Sequence, residues 1–146
     1  MQQQSEEGLK RPQLLAVLLI LTFIGSGFSM LANGIMYFTI EEWKAAYEQG
    51  VFDVLEDQLQ MDALEMMLTV NPLFYLLQAV LFMFSFIGAY MMWNFNKQGF
   101  HLYSIAQILL LIIYKLFLTA APFPLLPLLI TISFVLLYYR NLQFMK

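Results

Sequence analysis

Apolar side chains run almost without interruption from position 14 to 38, and no charged residue breaks them. A membrane-spanning helix needs about 20 such residues. At about 1.5 Å per residue this stretch reaches roughly 37 Å, longer than a hydrocarbon core of about 30 Å, so the excess tilts or emerges as an extra turn. The same texture returns three times, and the predicted spans are 13–38, 72–93, 101–119 and 124–140. Asn71-Pro72 opens the second as a cap followed by a first-turn proline. NFNKQGFH (94–101) reads as a tight polar loop in which Gly99 permits the turn, and TAAPFP (119–124) reads as a hairpin turn. Pro127 falls in the first turns of the last span.

Between the first two spans the pattern changes. Positions 39–70 hold eight of the ten acidic residues, yet keep a helical period. Thr39 and Glu42 have capping-box spacing, and Gly50 is a plausible stop. Asp53 with Glu56 suggests a second start. Phe52, Leu55, Leu59, Ala63, Met66 and Val70 then recur every three or four residues. Two short amphipathic helices are expected, with an apolar and an acidic face. Helices that bind lipid surfaces carry Lys and Arg, and these are acidic, which turns the expectation toward protein contact. Trp43, Tyr47, Phe52, Leu55, Leu59 and Met66 are the candidate contact residues.

Charge sets the orientation. Lys10, Arg11, Lys97, Arg140 and Lys146 fall on one side of a four-span layout, and Lys44 on the other, with Lys115 near it. Basic loops stay cytoplasmic. The expectation is an integral inner (plasma) membrane protein with both termini cytoplasmic and the acidic segment outside. Residues 1–11 read as a cytoplasmic tail and 12–146 as a single membrane domain. Trp43, Trp93, Tyr37, Tyr138 and Tyr139 lie near span ends, where aromatic rings collect.

GSGFSMLANG (25–34) crowds loop-forming residues into the first span. A turn at Gly25 would leave about ten apolar residues before it, too few to cross, and a lipid-facing break leaves backbone groups unpaired. A cleavable signal is disfavoured because the apolar run continues to Phe38. A packing face remains. Gly25-x-x-x-Ser29 is a small-xxx-small pattern that lets helices approach, with Gly88, Ser85 and Ala89 on the second span as the expected partners.

Composition agrees. The chain is 61% hydrophobic and 12% charged, whereas soluble domains are roughly 45–50% apolar and 25% charged. It has no cysteine, which removes disulfides, thiolate ligands and cysteine nucleophiles. No Asp or Glu lies inside a span. Asn33, Gln78, Gln107 and Lys115 are the candidate polar intramembrane residues. Either they line a cavity or they bond across helix interfaces, and the second is the commoner use. Lys115 lies about one turn from the outer surface and is expected to snorkel there toward an acidic partner. His101 stands alone, which makes neither a metal site nor a triad. No catalytic, cofactor or metal residue is assigned, and the acidic outer face argues against nucleic acid.

The segment GAYMMWNFNKQGFHLYSIAQILLLI (88–112) is similar to uncharacterised small four-span membrane proteins of Bacteroidota. Its Met-Trp span end, Lys-containing turn, Gly-Phe and Ala-Gln-Ile carry the resemblance, over about a sixth of the chain. That resemblance implies an inner-membrane location and no activity, so no functional residue carries over. The expected fold is all-α, an integral membrane four-helix bundle with a short amphipathic extracytoplasmic segment. The expected function is a non-enzymatic accessory or scaffold subunit of a larger membrane assembly, in contact with lipid and with other subunits. The alternative is a small transporter or binding protein for a lipid-like or apolar ligand, with the four polar residues lining its cavity.

Overall fold

The computed structural model describes residues 12–54, 58–119 and 121–146. Lys10, Arg11, Leu55 and Glu56 lie outside them. Five α-helices follow one another: α1 Gln13–Glu48, α2 Gln58–Thr69, α3 Leu73–Trp93, α4 Gln98–Phe117 and α5 Leu125–Asn141, closed by a 3-10 turn Leu142–Phe144. Four are long and apolar enough to cross a membrane, α5 together with its terminal turn. The chain is an all-helical, membrane-embedded bundle.

α1 corrects the expected boundary at Thr39. It runs 36 residues without a break, about 54 Å at the usual rise, so about 24 Å of it exceeds a hydrocarbon core of about 30 Å. The first acidic helix is therefore its continuation. Nothing between Pro12 and Glu48 stops it: the Thr39 hydroxyl donates back to the Ile35 carbonyl at 3.0 Å instead of capping forward. Gly50 does end the turn, with φ +73° in the left-handed region. Asp53 sits in that turn, its amide donating to the Gly50 carbonyl, and α2 starts five residues later, so Asp53 does not cap it.

Asn71 behaves as expected, its Oδ1 accepting the Leu73 amide at 2.9 Å. Asn96 does the same for Gln98 at 2.9 Å, which starts α4 three residues earlier than the sequence pattern indicates. Gly99 and His101 are thus helical, and the loop between α3 and α4 shrinks to Asn94, Phe95, Asn96 and Lys97. It closes as a Schellman turn, with Phe95 donating to the Met92 carbonyl and Asn96 to that of Met91. Phe95 holds the left-handed position, φ 59°, where glycine is usual.

The glycine crossing also differs. A Cβ on Gly25 would meet nothing within 4 Å, so no helix approaches α1 closely at Gly25. The close approach is between α3 and α4. A Cβ on Gly88 would lie 2.8 Å from the Gly99 carbonyl oxygen and 2.8 Å from the Tyr103 amide nitrogen. Gly88 therefore pairs with Gly99, not with α1.

The two ends of the bundle are built differently. At the end bearing Lys97, Arg140 and Lys146, a dry cluster joins Leu15, Leu18, Leu19, Met92, Phe100, Tyr138 and Met145. The C-terminal residues close it. Lys146 donates to the Phe95 carbonyl at 2.7 Å, its own carbonyl accepts the Lys97 amide at 3.0 Å, and Met145 is buried. Met145→Ala removes a side chain from this cluster and is expected to cost about 2 kcal/mol, the low end for a buried Met→Ala. Thermal unfolding in detergent measures it.

At the acidic end α2 lies over the bundle. Leu68 and Val70 pack with Ile40 of α1 and with Phe74 and Tyr75 of α3. The Tyr75 hydroxyl donates to the Met67 carbonyl at 2.6 Å and ties α2 down. The apolar face of α2 thus covers the chain's own helices. α5 is the outlier of the bundle: it rests lightly on α4 and α1 and leaves Leu125, Leu126, Leu129 and Leu136 facing outward, as suits a helix against lipid.

Candidate functional site

Thr22, Ser26, Ser29 and Asn33 fall at i, i+4, i+7 and i+11, one face of α1. That face turns inward toward α3, α4 and α5, and two chambers open along it. The mid-span chamber, about 250 Å³, is lined by Thr22, Gly25, Ser26 and Ser29 of α1, Ser85 of α3, Tyr103 and Gln107 of α4, and Thr131 of α5, among others. The second, about 430 Å³, lies at the acidic end. Asn33, Phe74, Gln78 and Tyr114 line it, with Ala63, Met66 and Met67 of α2 and Val70 just after it as its roof. Among the described residues, no Asp, Glu, Lys, Arg or His lines either chamber.

Hydrogen bonds organise the polar stripe. Asn33 Nδ2 donates to the Ser29 carbonyl at 2.8 Å, linking the two chambers along α1. Gln107 Nε2 donates to Ser85 Oγ at 3.0 Å, joining α4 to α3. Deeper, Thr22 Oγ1 and Tyr138 OH lie 2.6 Å apart and join α1 to α5. The Tyr103 and Tyr138 rings meet edge to face at 5.1 Å just there. Below them the apolar cluster closes the bundle at the basic end.

The four candidate polar residues therefore separate. Asn33 and Gln78 share the acidic-end chamber. Gln107 lines the mid-span chamber and makes the interhelical bond expected of it. Lys115 lines neither. It is exposed, and its Nζ donates to the carbonyls of Thr119 at 3.2 Å and Ala121 at 3.1 Å. The expected snorkelling takes backbone carbonyls of the α4–α5 hairpin as its target instead of an acidic side chain. Among the described residues the ion pair is Lys44 with Glu41, at 3.0 Å on α1. Lys115→Met is expected to keep the fold and cost about 1 kcal/mol, two exposed charge-assisted bonds being offset by better burial of the apolar replacement. A melting shift in detergent checks it.

The candidate contact residues also separate. Trp43 and Phe52 stack on each other, centroids 5.9 Å apart at 12°. Tyr47 packs into the α2 cluster, and Met66 roofs the chamber. Leu55 lies outside the described residues, as does the Leu59 side chain. The expected face formed by Ala63, Met66 and Val70 is real, and it points at the cavity.

Tyr103 and Tyr138 are the residues sequence reasoning missed. Tyr138 was expected at the membrane interface and is instead fully buried. Tyr138 and Tyr139 are adjacent on a helix and cannot both face lipid, which was the one available signal. The chain matches no protein-family model, no curated protein and no solved structure.

Proposed function

We propose that this protein is a non-enzymatic membrane protein that binds a lipid-like, largely apolar ligand in the acidic-end chamber. Gln78 carries the reading. It is 9% exposed, lines the chamber, and its carboxamide makes no hydrogen bond to any described residue. That carboxamide faces the chamber with no protein partner, and a ligand's polar group would supply one. The walls suit the remainder of such a molecule: Phe74 and Leu118 are rigid and apolar, while Met66 and Met67 adapt in shape. The volume falls in the range of small-molecule sites, about 300–1,000 Å³. Among the described residues the wall carries amide and phenol groups and apolar side chains, which supports recognition of such a ligand.

The accessory-subunit reading draws less support, because the apolar face of α2 on which it relied is occupied by the chain's own helices. The distribution of Lys and Arg supports a cytoplasmic basic end in an inner membrane, with the chamber opening on the far side.

Native mass spectrometry of the purified protein is the test. One co-purified lipid per chain is expected. Gln78→Leu, similar in volume and equally buried, should lower the retained fraction about tenfold, the equivalent of one or two lost hydrogen bonds. A chain that arrives free of lipid but with a stoichiometric protein partner would sink the proposal in favour of the subunit reading.

A further inference from the structure

The mid-span chamber has no part in that proposal and rests on separate observations. We infer that it is a lateral site for the hydroxyl head of an uncharged long-chain alcohol, entered from the bilayer between α1 and α5.

Serine and threonine in a membrane helix normally return their proton to a carbonyl one turn back. Ser133, on the lipid-facing side of α5, does so to Leu129 at 2.8 Å. Thr131, two residues earlier on the same helix, does not. It is 9% exposed, lines the chamber, and its hydroxyl has no hydrogen-bond partner among the described residues. Ser29, half-buried across the chamber, likewise makes no side-chain hydrogen bond among the described residues. Gln107 uses one N–H on Ser85 and keeps its carbonyl and second N–H. Donors and acceptors thus converge on one space without being satisfied. In hydrocarbon an unpaired polar group costs several kcal/mol, so the space holds a hydrogen-bonding guest.

The walls define that guest. No charged side chain is present to offset an ionised head, and burying an unpaired charge is prohibitive. A hydroxyl both donates and accepts, matching this mixture of hydroxyls and carboxamide. At about 250 Å³ the chamber is below the size that encloses a whole drug-sized ligand, so only the head enters and the chain stays in lipid. The entrance is visible: Leu21, Gly25 and Ile130 each line the chamber and are exposed at its edge. Gly25 forms part of this mouth, which explains why no helix packs on it.

Photolabelling of the full chain in phosphatidylcholine nanodiscs tests this. The probes are hexadecanol and hexadecanoic acid, each with a diazirine beside its head, the acid kept ionised at alkaline pH. Hexadecanol adducts are expected within 21–30 and 128–134. Gly25→Leu should fill the mouth without disturbing the fold, since nothing lies within 4 Å of a Cβ there. It should cut labelling at least about fivefold, and Thr131→Val about fivefold, the equivalent of a lost hydrogen bond. The acid should label at least about fivefold less than the alcohol, in line with an uncompensated buried charge. Gln78→Leu should leave these adducts unchanged, which separates this site from the acidic-end chamber. Adducts that ignore Gly25→Leu, or scatter along the lipid-facing helices, would mean that the chamber holds only water. Equal labelling by the acid would overturn the assignment of an uncharged head.

Discussion

Leucine at Gly99 is expected to prevent the bundle from assembling. A Cβ alone at this position would sit 2.7 Å from Met91 Cβ and 2.7 Å from the Met92 amide nitrogen, and would press on the Gly88 carbonyl. Two of those neighbours are backbone atoms, which cannot rotate away as a side chain can. Relief requires α4 to move off α3, and this crossing is one of the two extensive helix contacts in the protein. In lipid, close packing is the main force holding helices together, so separation has little to replace it. Overpacking typically costs about 1–3 kcal/mol, and a backbone-on-backbone clash exceeds that range. Gly99→Leu should therefore give no folded protein by size-exclusion in mild detergent, and Gly99→Ala a loss of about 3 kcal/mol. The control has the opposite sign. Gly25→Ala and Gly34→Ala meet nothing within 4 Å, and each should be neutral or stabilise by up to about 1 kcal/mol through helix propensity. Equal damage at Gly25 and Gly99 would contradict the assignment of the crossing.

Tyr138→Ala is expected to cost about 3–5 kcal/mol, the range for a large aromatic removed from a core. The ring is 0% exposed and fixes α5 by two routes: edge contacts with Tyr103 at 5.1 Å and Phe134 at 6.3 Å, and a hydroxyl bonded to Thr22. α5 has few other contacts, so losing the ring should free it from the bundle. Tyr138→Phe isolates the hydroxyl. Interhelical hydrogen bonds in membranes average about 0.6 kcal/mol, and Tyr138→Phe should fall near that value. Denaturant titration of both variants measures the pair. If Phe proved as damaging as Ala, the hydrogen bond and not the packing would hold α5.

The spans were legible because hydropathy and length constrain them so strongly: a chain that must satisfy its backbone inside lipid has few alternatives to a helix. Boundaries were less so. Thr39 and Glu42 have capping-box spacing, yet a threonine hydroxyl can bond backward as well as forward, and the apolar surface of α2 packing on Ile40 rewards a continuous α1. Asn96 looked like a loop residue and capped a helix. Gly25 and Gly99 show the main limit. Both are small residues on helices, and spacing alone cannot say which faces a backbone and which faces a cavity. That depends on helix rotation, which is set by the whole bundle. The burial of Tyr138 was not legible, since an aromatic near a span end reads as an interface anchor.

Cysteine labelling in intact cells tests the layout of the chambers most directly. The chain has no cysteine of its own, so single substitutions report without background. Asn33→Cys in the acidic-end chamber should react with a membrane-impermeant maleimide applied from outside. Gln98→Cys, exposed at the basic end, should react only after the membrane is opened. Reaction of Gln98→Cys in intact cells, with Asn33→Cys protected until lysis, would invert the protein in its membrane and contradict a chamber that opens away from the cytoplasm.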